Sequence, residues 1–149
     1  MTLIQRAYEA AKNDLNFDWK EVPGKGSNPR IKACYKAVDG LGNPEMIDDD
    51  WTSWCSCYVN KKIQDAGGKG TRSALARSWL AWGKAIKKPV EGCIVVFKRG
   101  NSTWQGHVSF YVKNDDTHVW CLGGNQSNNL KISKYKIEDV LGYRVSLDC

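Results

Sequence analysis

The hydrophobic period of this chain changes near Gly92, and that change constrains the fold more than any other feature. Before it, apolar residues recur at spacings of three and four, the period of helices with one buried face. Leu3, Ile4, Ala7, Tyr8 and Ala11 mark a helix over residues 2–13, and Ile31 to Val38 marks a shorter one carrying Cys34 and Tyr35. Val59, Ile63 and Ala66 mark a third, with Gly67-Gly68 as its stop. Leu75, Trp79 and Trp82 predict a fourth, capped by Thr71 or Ser73 and ended by Gly83. After Gly92 the pattern is that of strands. Cys93 to Phe97 is a continuous apolar run, as in a strand buried on both faces. Val108, Phe110 and Val112 alternate with His107, Ser109 and Tyr111, which predicts a strand with two unlike faces. His118 to Leu122, broken by Gly123-Gly124, then Leu130 to Tyr135 and Leu141 to Leu147 supply three more. Helices first and a meander afterwards define an α+β fold, N-terminal helices packed on a small antiparallel sheet. A length of 149 residues fits one domain, with a helical part over about 1–88 and a sheet part over about 89–149.

Within that frame one stretch carries chemistry. Trp51-Thr52-Ser53-Trp54-Cys55 leads into the third helix, and Ser53 as N-cap places Cys55 in the first turn. Unpaired backbone N–H groups and the helix dipole stabilise a thiolate there, as a nucleophile requires. A nucleophilic cysteine also needs an imidazole to carry its proton and a polar group to orient that imidazole. His107 follows Gly106 at the start of a strand, and Asn125 stands just past the end of the neighbouring one. His118, beside Asn114-Asp115-Asp116, is read as a surface residue. Asp48-Asp49-Asp50 is read as a solvated acidic turn, because no calcium-binding loop with a distal glutamate follows it.

Composition narrows the classes. An apolar fraction of 42% and seven tryptophans exclude a disordered chain, and no apolar run is long enough to span a bilayer. Charged residues within 1–12 argue against a secretory leader, so synthesis in a cytoplasm is expected. Six cysteines are even in number, yet several lie in apolar runs of a chain that needs no staples, so mostly reduced thiols are expected. Cys55-x-Cys57 lacks zinc-ligand spacing, and Cys57 is assigned to the core. Neither metal nor cofactor is expected. Net charge is uneven: −2 over residues 1–50 and +8 over 51–149. A basic half suits a polyanion, whether nucleic acid, anionic lipid or a bacterial envelope polymer.

Trp54-Cys55, Gly106-His107-Val108 and Leu122-Gly123-Gly124-Asn125-Gln126 together resemble the papain-like cysteine peptidases of the NlpC and CHAP type, which hydrolyse bacterial peptidoglycan. Glu21-Val22-Pro23-Gly24, Asn28-Pro29-Arg30-Ile31 and Val140-Leu141-Gly142-Tyr143-Arg144 extend the resemblance, to a compact subgroup in phages and bacteria, over nearly the whole chain. It implies a papain-like fold, Cys55 as nucleophile, His107 as base, and Asn125, or its neighbour Gln126, as orienting residue. Trp51, Trp54 and Gln126 are the expected substrate-binding positions. The implied activity is amidase or endopeptidase cleavage of the stem peptide, without cofactor, by a monomer that neither inserts into membranes nor binds nucleic acid. It would act in the periplasm or cell wall, as a phage endolysin or, alternatively, as a secreted antibacterial toxin. Two other readings stand beside it: a non-catalytic basic module holding wall polymer or nucleic acid, and an extracellular protein framed by disulfides.

Overall fold

Side-chain caps start the first two α-helices, and glycine in the left-handed region ends the third. In the computed structural model, which describes residues 1–47, 49–50 and 53–149, three α-helices precede a six-stranded sheet. Helix α1 (Leu3–Asp14) opens with a capping box: Thr2 Oγ1 accepts from Gln5 N–H, and Gln5 Oε1 accepts from Thr2 N–H. Ile4, Ala7, Tyr8 and Ala11 form its buried stripe. Helix α2 (Pro29–Tyr35) starts two residues before the predicted one, because Asn28 caps it and Pro29 occupies the first turn. Helix α3 (Cys55–Asp65) ends in a Schellman motif, with Gly67 at φ 95° and Gly68 N–H bonding Ile63 O. Cys55 to Asn60 are all buried, as befits a central helix that packs on the sheet and against α1 and α2.

The fourth predicted helix does not form. A 3₁₀ turn, Ala76–Ala81, stands in its place, with Trp79 buried and Leu75 half exposed. Three residues per turn put Trp79 and Trp82 on one face, where their rings meet edge to face at 5.1 Å. Trp79 Nε1–H also donates to Ser56 Oγ at 2.9 Å, tying this segment to α3. Gly83 then takes φ 60° where a Cβ would overlap Val145 O, and the chain enters a strand that the sequence reading placed within the helical part.

The strands are β1 (Lys84–Ile86), β2 (Ile94–Lys98), β3 (Gly106–Asn114), β4 (His118–Gln126), β5 (Asn129–Lys136) and β6 (Val140–Val145). They pair antiparallel throughout in the order β1-β6-β2-β3-β4-β5. In β3 every residue from His107 to Tyr111 is buried, so the side that carries the polar His107 and Ser109 is covered as well as the apolar one. One detail differs from the predicted meander: β4 runs through Gly123-Gly124 to Gln126, with an irregular register between Gly123 and Gln126. Ser127 and Asn128, both at positive φ, then make the two-residue turn into β5 that right-twisted strands favour.

The third aspartate of the acidic turn is not solvated. Asp50 is fully buried and accepts hydrogen bonds from Val22 N–H, Asn28 N–H and Ser27 Oγ. It anchors the 18–28 loop, which a count of adjacent charges did not reveal. Asp48 lies outside the described residues. No helix among the described residues is long and apolar enough to cross a membrane.

Candidate active site

Helix α3 and strands β3 and β4 converge on Cys55. Trp54, not Ser53, is the N-cap residue, so Cys55 is the first residue of the helix. Ser53 instead gives its hydroxyl to the Cys55 sulfur and accepts from Asn125 Nδ2 at 3.4 Å. Burial raises the thiol's pKa, but four interactions from three groups outweigh it: the charge of His107, a hydrogen bond from that ring, the Val108 backbone N–H and the Ser53 hydroxyl. The net result lies at about 7, below the ordinary value near 9. Burial dominates at Cys57 and Cys121, whose thiols are pushed up to about 12. Cys55 is only 1% exposed and lies in the wall of a cleft.

His107 is held at its far nitrogen. Nε2 lies 2.9 Å from Gln126 Oε1 and 2.9 Å from Ser109 Oγ. The orientation of the Gln126 amide follows from its other end, because Gln126 Nε2 donates to Lys131 O at 2.7 Å and Cys121 O at 3.3 Å. Oε1 must therefore face the imidazole, and only a protonated His107 Nε2 can donate to it. Ser109 Oγ–H donates to the same Oε1 at 2.6 Å and leaves its lone pairs for Nε2–H. Nδ1 is thus the nitrogen left to exchange a proton with Cys55. Tyr135 stacks on the ring at 5.0 Å between centroids and removes its remaining freedom to tilt.

Asn125, the orienting residue expected first, does not take that role. It has φ 60° and bonds Ser53, while Gln126 bonds His107. The reason is parity. Residues an odd number apart face opposite sides of a regular strand, yet Cys121 Sγ and Gln126 Oε1 share one side at 3.7 Å. The irregularity after Gly123 shifts the alternation by one residue. Both glycines make room for this arrangement: a Cβ on Gly123 would overlap Ser109 Oγ and Gln126 Oε1, and one on Gly124 would overlap the Trp54 ring.

Two expected substrate contacts also move. Trp54 is fully buried, stacked on Trp19 with its Nε1–H directed to Glu21 Oε2 at 3.2 Å, so it supports the site from behind. Gln126 is 1% exposed and engaged with His107. Trp51 lies outside the described residues. Ser109, missed in the sequence reading, carried only a strand alternation as its signal.

One depression reaches the thiol, and a second lies beside Asn125. A cleft of about 170 Å³ has Cys55, Ser53, Leu75, Arg99 and Trp104 in its walls. A groove of about 600 Å³ lies between the 20–24 segment and the β4–β5 turn, with Glu21, Asn125 and Asn128 in its walls. Ser53 and Asn125 join the two through their hydrogen bond. The site is thus a buried Cys–His–Gln cluster whose sulfur lines one cleft, able to attack a carbonyl and pass a proton to a leaving group. No family model matches this chain, and no curated protein matches it significantly.

Proposed function

We propose that the protein is a peptidoglycan hydrolase, an amidase or endopeptidase that cleaves an amide bond of the stem peptide through a thioester on Cys55. The observation that carries the chemistry is the proton path from a thiol in the first turn of α3 to an imidazole whose tautomer Gln126 fixes. The substrate class rests on the sequence resemblance to NlpC and CHAP peptidases, with their papain-like fold, and on the basic charge of residues 51–149. In this reading the Cys55 thiolate attacks the amide carbon, and the oxyanion is held in part by backbone N–H at the start of α3. Protonated His107 gives its Nδ1 proton to the leaving amine as the C–N bond breaks. Water, deprotonated by the same nitrogen, then cleaves the thioester and releases the carboxylic acid.

The protein would be made in a bacterial cytoplasm and act on the wall, as a phage endolysin or as a toxin of the same chemistry. A non-catalytic, tryptophan-rich binding surface is less well supported, since Trp19, Trp54 and Trp79 are all buried. The test is to digest purified sacculi and analyse the soluble fragments by mass spectrometry. New amine and carboxyl termini at one stem-peptide bond are expected, and they name the bond cut. Intact sacculi after prolonged incubation with wild-type protein would exclude the activity.

A further inference from the structure

The loop between β2 and β3 is held more firmly than a connection of its length needs. Arg77, in the 3₁₀ turn, donates from Nε to Gln105 O at 2.7 Å and from an η nitrogen to Ser102 O at 2.6 Å. Ser102 Oγ accepts from Trp104 N–H and Gln105 N–H, and Ser102 N–H bonds Arg99 O. The loop is closed at its end by Gly106, where a Cβ would press on Phe97 O and Arg77 Cγ.

What this scaffold displays is unusual for the chain. Trp104 is 60% exposed and Leu75, across the cleft, is 50% exposed, although three other tryptophans are buried. Arg99 stands beside them, exposed, and its guanidinium makes no hydrogen bond or ion pair among the described residues. Neighbouring cations are already engaged: Arg77 with the two carbonyls and Lys98 with Asp139 at 4.0 Å. All three displayed residues and Cys55 wall the same cleft. A planar cation with free donors recognises a carboxylate, and an aromatic face beside it covers the adjoining apolar atoms.

We infer that Arg99, Trp104 and Leu75 form a specificity subsite that takes a carboxylate-bearing residue of the substrate next to the scissile bond. The identification of the substrate as a stem peptide rests on the hydrolase reading above; the preference for an anion at this cleft does not. At about 170 Å³ the cleft holds one small residue, so the carboxylate belongs to the residue at or adjoining the cleaved amide. Arg77 acts only as a positioning residue for the loop.

The experiment compares alkylation of Cys55 by two reagents alike in size and different in charge, iodoacetate and iodoacetamide, in full-length protein carrying Cys149→Ser to remove the exposed thiol. Relative to wild type, Arg99→Gln is expected to lower the iodoacetate-to-iodoacetamide rate ratio about five-fold, as one partly screened charge pair allows. The iodoacetamide rate serves as the internal control for an intact site and should be unchanged. Arg99→Lys should retain most of the ratio, and Trp104→Ala should leave it nearly intact while weakening peptide binding. An equal ratio in wild type and Arg99→Gln, or an equal loss in Arg99→Lys and Arg99→Gln, would overturn the subsite. In a second arm, stem peptides with a free carboxylate or a carboxamide are offered as substrates. A charge-dependent alkylation ratio with neither peptide cut would uphold the subsite and refute the hydrolase reading. Cleavage of both peptides at equal kcat/KM would do the reverse.

Discussion

His107 Nε2 and Gln126 Oε1 stand 2.9 Å apart, and the Gln126 amide can present only its oxygen because its nitrogen is spent on the carbonyls of Lys131 and Cys121. The tautomer of the imidazole is therefore set by backbone groups of β4 and β5, two steps removed from the reacting atoms. Gln126→Ala should lower kcat on the order of 10²-fold, the scale of a misoriented catalytic group. Asn125→Ala, which loses only a 3.4 Å bond to Ser53, should retain most activity. Steady-state kinetics of the two variants decides the assignment, and a greater loss in Asn125→Ala would reverse it.

Alkylation at Cys55 should follow its own ionisation. With the thiol at about 7, the rate should fall as pH drops through 7 and the sulfur takes up its proton, and level off above 8. Cys149 is exposed and would compete, so the measurement belongs in a Cys149→Ser background. In His107→Ala the lowering groups are largely gone while burial remains. The half-point should then rise above the ordinary value near 9, cutting the rate at pH 7 by ~10²-fold or more.

Gly123 has no spare room, since any Cβ would meet Ser109 Oγ and Gln126 Oε1 at once. Gly123→Ala should therefore cost about 1–3 kcal/mol in stability by overpacking and lose more activity than that stability change explains. Thermal melting and kinetics on the same sample separate the two effects.

Asp50 tests whether the N-terminal loop is structural. Its carboxylate receives three hydrogen bonds in a fully buried setting. Asp50→Ala strands the Val22 and Asn28 N–H groups and should destabilise the fold by about 3 kcal/mol. A melting temperature within a degree of wild type would contradict that role.

How much of this was legible in the sequence depends on the scale at which each feature is encoded. The broad division into helices and a later meander was, because the switch of hydrophobic period at Gly92 is a property of long segments. The stop of α3 was, because Gly67-Gly68 is a local signal that the Schellman bonds then use. Strand β1 was not: three residues with two exposed positions carry no period. The 3₁₀ turn at Ala76–Ala81 imitates a helical stripe at spacing three and is distinguished only by its packing. Cys55 and His107 stood out by residue type and context, and the structure brings them together. The choice between Asn125 and Gln126 was beyond reach, since it turns on one irregular step in β4 that reverses which side chain faces inward. Ser109 was equally hidden, because its role exists only once β3 and β4 are paired.

The central claim is that the Cys55 sulfur forms the bond that opens the wall. The measurement is the release of free amino groups from purified sacculi by wild type and Cys55→Ala at equal concentration, with melting curves for both. Wild-type protein should release them steadily, and Cys55→Ala should release none above the untreated control while keeping a cooperative melt. Release by Cys55→Ala at the wild-type rate would contradict the account.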